Sequence, residues 1–180
     1  MQNGSSRHVL VLGGQRSGKS RFAEGLIAGS GLVPVYLATA EPGDGEMAIR
    51  IAAHRERRGC AWRTVEEPLA LPAALAAEAG EGRAVLVDCL TLWLANLMAA
   101  DRDIDAETDA LIAALGAAAG PVVLVANEVG SGIIPANPLA RRYADAHGVL
   151  NQRVAAVVGR VVLMAGGLPV PVKPAPEFLL

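Results

Sequence analysis

Lysine is almost missing from this 180-residue chain: of sixteen basic residues only Lys19 and Lys173 are lysine. Aromatic residues make up 3%, so the 52% hydrophobic fraction leans on alanine and small aliphatics. A net charge of −2 offers no basic surface for nucleic acid or an acidic membrane. The two cysteines, Cys60 and Cys89, have no metal-ligand spacing, and a reduced cytosolic setting is the default. The opening stretch 1–7 is polar and lacks the apolar centre of a signal peptide. The longest apolar run, Cys89 to Ala100, is too short to cross a bilayer and contains Asn96. These absences lead us to expect a cytoplasmic protein with no membrane span and no nucleic-acid partner.

What is present is concentrated in one stretch, Gly13-Gly14-Gln15-Arg16-Ser17-Gly18-Lys19-Ser20. It fits G-x-x-x-x-G-K-[ST], follows the apolar run His8 to Leu12 and precedes a helical pattern carrying Phe22, Ala23, Leu26 and Ile27. Glycine lets the backbone take positive φ and approach a phosphate closely. The helix behind it adds free N–H groups and the positive end of its dipole. Because lysine is so scarce, the chain's own frequencies give roughly one accidental match in a thousand such sequences. The stretch is read as the binding site of a nucleoside triphosphate. Lys19 would reach the β- and γ-phosphates and Ser20 would bind Mg²⁺.

Along the chain, β-branched runs alternate with helical patterns, which predicts a single α/β domain with a mostly parallel, doubly wound sheet. Strands are expected at His8–Leu12, Val33–Thr39, Ala61–Val65, Arg83–Asp88, Pro121–Asn127 and Arg160–Ala165. Helices are expected at Lys19–Ala28, Gly45–Arg58, Pro68–Ala79, Leu90–Ala100, Asp105–Ala118 and Pro138–Val158, the last bent or interrupted at Gly148. Val170–Lys173, broken by Pro171, reads as an edge strand or a tail. The domain is expected to cover residues 8–173, with short tails at 1–7 and 174–180.

Ligands in such sheets bind beyond the carboxyl ends of the strands, where four features stand out. Ala38-Thr39-Ala40 are small enough for a ligand to approach. Asp88 closes an apolar strand as a Walker B aspartate would, holding Mg²⁺; the alternative is a cap for the helix starting at Leu90. Asn127 to Gly132 is a polar, flexible loop or an ordinary turn. Glu66 ends a strand and is either a surface acid or an acceptor for a base or ribose. Separately, on a helix over 45–58, Met47, Ile51 and His54 form one stripe flanked by Arg50, Arg57 and Arg58. A lone histidine there is ordinarily structural. Beside bound phosphate, the same cluster suits phosphate transfer, since nearby cations favour a neutral, nucleophilic imidazole. Charges at Arg141, Arg142, Asp145 and Arg153 are spaced as intrahelical pairs, though an anionic substrate could use the arginines.

Taken together, several stretches resemble a known family. They are Gly13 to Arg21, Tyr36 to Ala40, Glu46-Met47 with Arg50-Ile51 and His54-Arg55, and Trp62-Arg63-Thr64 with Glu66. Asp88 to Thr91 with Asn96-Leu97, Asn127 to Pro135, and Leu139 to Arg142 through Asn151-Gln152-Arg153 complete the set. The chain is similar to the bifunctional adenosylcobinamide kinase / adenosylcobinamide-phosphate guanylyltransferases, over about Val9 to Lys173. The resemblance implies a RecA-like P-loop domain, assembled as a homotrimer, with Mg²⁺ as cofactor and ATP and GTP as substrates. It implies phosphorylation of adenosylcobinamide, then transfer of GMP from GTP to adenosylcobinamide phosphate through a GMP–histidine intermediate. His54 matches the nucleophile, and Lys19 is the other catalytic residue. Nucleotide contacts map onto Gly13 to Ser20, Ala38 to Ala40, His54, Arg55, Glu56, Arg57, Glu66 and Asp88. Where some relatives carry two adjacent histidines, this chain has Ala53 before His54. Pro138 and Ala146-His147-Gly148 also depart from the family pattern. A small-molecule kinase with a structural His54, or a nucleotide-dependent binding switch, would share the phosphate loop without guanylyl transfer.

Overall fold

Ala84-Val85-Leu86-Val87 is an unbroken apolar run because both faces of the strand it forms are covered, and all four residues are 0% exposed. The structure, a computed structural model, describes residues 7–41 and 59–174. In chain order these form β1 (Val9–Gly13), α1 (Lys19–Ala28), β2 (Val33–Ala38), a 3₁₀ turn (Gly59–Ala61), β3 (Arg63–Glu66), α2 (Leu71–Glu78), β4 (Arg83–Asp88) and α3 (Leu90–Ala99). Then follow α4 (Ile104–Ala117), β5 (Val122–Asn127), α5 (Pro138–Val157), β6 (Arg160–Ala165) and β7 (Leu168–Lys173). The seven described strands make one sheet in the order β3-β2-β4-β5-β1-β6-β7. Every pairing is parallel except β6 with β7.

The core has two layers, one on each face of the sheet. Leu71 and Leu75 of α2, Leu90, Trp93 and Leu94 of α3, Leu111 of α4 and Val154 of α5 pack with Leu10, Leu37, Val85 and Val87. On the other face, Ala23 and Ile27 of α1 meet Val11, Tyr36, Leu86 and Val125. Helix α5 buries His147, Leu150, Asn151 and Val154, the i, i+3, i+4, i+7 stripe of an amphipathic helix. Its start is fixed by Asn137, whose Oδ1 accepts from Leu139 N (2.8 Å) and Ala140 N (3.2 Å), with Pro138 in the first turn. Its end is held by Lys173 of β7, whose Nζ donates to Ala155 O (2.8 Å) and Ala156 O (3.0 Å). A cation there also complements the helix dipole.

The differences from the sequence reading have local causes. Helix α2 starts at Leu71 rather than Pro68 because Glu67 Oε1 accepts from Leu69 N (3.1 Å) and Ala70 N (2.8 Å), holding Leu69 and Ala70 in a turn. Helix α5 runs uninterrupted through Gly148. The C-terminal segment is an edge strand and starts earlier than expected, at Leu168. The turn before it, Gly166 (φ 57°) and Gly167 (φ 83°), has the left-handed pair that a tight hairpin requires. Arg153 pairs with Asp105 and Asp109 on α4, not within its own helix. Arg141 instead donates to the carbonyls of Pro135 and Ala136. The expected helix Gly45–Arg58 lies outside the described residues. Among the described residues no helix is long and apolar enough to cross a membrane.

One buried histidine carries a testable consequence. His8 is 1% exposed; its Nδ1 accepts from Val122 N (3.1 Å) and its Nε2 faces Leu115 O (3.0 Å), which sets the neutral Nε2–H tautomer. Burial lowers its pKa from 6.5, and Arg7 acts in the same direction, against the Leu115 carbonyl. The unfolded chain therefore binds this proton more readily than the folded one. The resulting stability is complete above about pH 6.5 and is lost as pH falls below it. Urea unfolding between pH 5 and 7 should show stability rising with pH, and His8→Phe should have a shallower slope and lower stability at pH 7. Equal slopes would contradict this role.

Candidate active site

The phosphate loop is the connection from β1 to α1, and its shape depends on positions that exclude side chains. Arg16 (φ 56°) and Gly18 (φ 89°) are left-handed. A Cβ on Gly13 would lie 2.5 Å from Ser17 Oγ and 3.1 Å from the Met164 carbonyl, so only glycine fits there. Helix α1 begins with Gly18 as its N-cap, without a side-chain cap and without an acidic residue in the first turn. Its first N–H groups are left for an anion. Lys19 folds back over the loop, Nζ donating to Gly14 O at 3.0 Å. Burial lowers the pKa of its ammonium from 10.5, with Cys89 and Asp88 at the end of β4 pulling the other way. Ser17 Oγ is buried and has no hydrogen-bond partner among the described residues.

Asp88 does not cap α3. The N-cap of that helix is Cys89, which makes no side-chain cap, and Asp88 Oδ2 instead accepts from Tyr36 OH at 3.1 Å. Ala38, Thr39 and Ala40 stand at the end of β2, with Ala38 paired in register with Glu66 on one side and Asp88 on the other. Glu66 is exposed at the end of β3. Phosphate loop, Ala38 to Ala40, Glu66 and Asp88 thus share one edge of the sheet. His54, Arg55, Glu56 and Arg57 lie outside the described residues.

This geometry can be set beside known proteins. The family model for cobinamide kinase / cobinamide phosphate guanyltransferase matches residues 9–172. The chain belongs to that family. It is 54% identical over 169 residues to the bifunctional adenosylcobalamin biosynthesis protein CobP of Pseudomonas aeruginosa, covering 93% of this chain and 98% of the relative. It is 41% identical over 180 residues to the bifunctional adenosylcobalamin biosynthesis proteins CobU of Salmonella typhimurium and of Escherichia coli, covering 92% of this chain and 99% of each. Among solved structures, the flagellar accessory protein FlaH of Methanocaldococcus jannaschii superposes with a TM-score of 0.54 at 14% identity, over 98% of this chain and 83% of FlaH. That likeness concerns the fold, the RecA-like P-loop domain in which β5 separates the phosphate-loop strand β1 from β4.

In this member of the cobinamide kinase family the sheet edge is tied together by polar side chains that the motif reading did not single out for this role. Thr39 is fully buried; its Oγ1 accepts from Cys89 N (2.8 Å) and donates to Cys89 O (2.7 Å). Asn96 Nδ2 donates to Thr39 O (2.8 Å) and Pro68 O (3.1 Å), and Trp93 Nε1 to Leu69 O (2.9 Å). Around α5, Asn151 Nδ2 reaches Asn127 O and His147 Nδ1, both at 3.2 Å. His147 Nε2 lies 3.2 Å from Thr91 Oγ1, which also accepts from Asn127 N (2.7 Å). Glu128 N then donates to Gly13 O at 3.1 Å, so this network ends at the phosphate loop. Burial lowers the His147 pKa against the pull of Glu128, keeping the ring neutral and able to accept at Nδ1. Burial also pushes the Cys89 thiol up to about 11, helped by Asp88. At neutral pH it is a packed thiol, not a nucleophile.

The signal for this scaffold is a set of small polar residues at strand ends and on an otherwise apolar helix stripe. Since the Thr39 hydroxyl is engaged by Cys89, Thr39→Val should leave a buried N–H without an acceptor. The expected loss is about 2 kcal/mol, read as a fall in Tm of about 6 °C. An unchanged Tm would contradict the assignment.

Proposed function

We propose that the chain performs both reactions of its family on one corrinoid side arm, first as a kinase and then as a guanylyltransferase. The support is the coincidence of a complete phosphate loop with a family match that runs almost the length of the chain. In the first reaction, the hydroxyl of adenosylcobinamide attacks the γ-phosphorus of a nucleoside triphosphate. An O–P bond forms, the bond to the β-phosphate breaks, the nucleoside diphosphate leaves and the hydroxyl proton is released. Lys19 and the free N–H groups at the start of α1 hold the β- and γ-phosphates and stabilise the charge that accumulates there.

In the second reaction the imidazole of His54 attacks the α-phosphorus of GTP, forming a P–N bond and expelling pyrophosphate. An oxygen of adenosylcobinamide phosphate then attacks the same phosphorus and displaces His54, giving adenosylcobinamide-GDP. Covalent catalysis divides a transfer between two anions into two easier steps. The observation that favours His54 concerns the other two of the chain's three histidines. His8 and His147 are each 1% exposed, with both ring nitrogens engaged. In this reading Ala38, Ala40 and Glu66 serve the GTP nucleoside, and Arg55, Glu56 and Arg57 are further nucleotide-binding residues.

Ser20 and Asp88 would hold Mg²⁺. A hydroxyl and a carboxylate are hard oxygen donors. That fits an ion which takes few protein ligands and keeps water and substrate phosphates; when bound it would neutralise phosphate charge. The reading further places the protein in the cytoplasm, as a homotrimer.

GTP labelled at the α-phosphate tests the proposal. Wild-type protein should acquire a label that survives alkali and is lost in acid, as a histidine phosphoramidate is, and His54→Ala should acquire none. Equal labelling of the two proteins would move the nucleophile elsewhere. No label on folded, GTP-binding wild type would leave only the kinase.

A further inference from the structure

Beside the phosphate loop, on the side away from Glu66 and Asp88, a groove of about 600 Å³ runs between α1 and the β6–β7 turn. Gly18, the last glycine of the loop, forms its near end, and Phe22, Leu26 and Met164 give it apolar walls. Arg21 stands at its rim. The groove is continuous with the phosphate site because Gly18 belongs to both. From Lys19 to Leu26 the helix rises about 10 Å, enough for a ribose and a base beyond the phosphates. Its volume lies within the range of small-ligand pockets, about 300–1,000 Å³.

Two further observations bear on the occupant. Arg21 is an exposed cation in the first turn of α1, where the helix dipole disfavours positive charge, and no ion pair involving it is found among the described residues. A polyanion on the loop would reverse that balance. The second concerns distance. Glu66 ends β3, four strand positions from β1, whereas Met164 lies on β6, next to β1 on the opposite side. At about 4.8 Å per strand, Glu66 is about 19 Å from β1 and about 24 Å from β6. A single nucleoside anchored by its phosphates on the loop cannot use both.

We propose that this groove holds the nucleoside of the phosphoryl donor, with Arg21 on its phosphates. The nucleoside of the guanylyl donor lies on the other side, toward Ala38 and Glu66. One phosphate loop thus serves two nucleoside positions in turn. The inference rests on the two-reaction reading above.

Gly25 provides the test. It lines the groove, sits inside α1, and a Cβ there would meet nothing within 4 Å among the described residues. Gly25→Leu therefore adds a side chain to the groove lining from a position with open space for its Cβ, and removes glycine's penalty in a helix. For the full chain, KM for ATP in phosphorylation of adenosylcobinamide should rise at least tenfold. KM for GTP in guanylyl transfer should stay within twofold, with a thermal midpoint no lower than wild type. An unchanged KM for ATP, or an equal rise in both constants, would overturn the inference. Calorimetric titration with ATP alone separates this from the functional reading. A tenfold loss of ATP affinity in Gly25→Leu supports the groove even if cobinamide is not turned over, and equal affinity overturns it.

Discussion

The structure depends on a close approach at the end of β1. Gly13 has Ser17 on one side and the Met164 backbone on the other, with no room for a side chain. Two left-handed residues, Arg16 and Gly18, then turn the chain so that α1 begins with its N–H groups uncovered. Lys19 lies against the same loop, its Nζ donating to Gly14 O. A triphosphate would accept from the N–H groups at the start of α1 and from Lys19 together, so anion binding is the complement of this conformation.

Such a loop is useful only if the strand ends around it stay in place. Parallel strands expose free backbone groups at their carboxyl ends, and here side chains take up several of them. Thr39 clasps Cys89, Asn96 spans from Thr39 to Pro68, and Thr91, His147 and Asn151 fix Asn127. Neutral groups suit this task, because a buried charge beside Asp88 and bound phosphates would compete with the ligand. The lowered pKa of His147 and the raised pKa of Cys89 keep both of them uncharged. The buried clasp therefore adds no charge beside Lys19 and Asp88.

Much of this was legible in the sequence, for identifiable reasons. Strands buried on both faces show as apolar runs, and the phosphate loop shows because its glycines and its rare lysine are each required. Asp88 was readable as a strand-end carboxylate, and its alternative reading as a helix cap is removed by the observation that Cys89 is the cap residue. The polar clasp was not readable, because Thr91, His147 and Asn151 sit on helix stripes where a sequence shows only interrupted hydrophobicity. Strand β7 was half hidden by Pro169 and Pro171, which an antiparallel edge strand tolerates. The partners of Arg153 lie on another helix, and spacing along one helix cannot report them. The role of His54 rests on the family resemblance together with the burial of the other two histidines.

The central claim is that one phosphate loop serves both reactions, and stoichiometry tests it most directly. Calorimetric titration of the His54→Ala protein, which cannot form the adduct, with GTP and Mg²⁺, followed by ATP, should show one triphosphate bound per chain. Each nucleotide should displace the other, and Lys19→Met should abolish binding of both. Simultaneous binding of ATP and GTP at two per chain, or loss of only one of them in Lys19→Met, would contradict it.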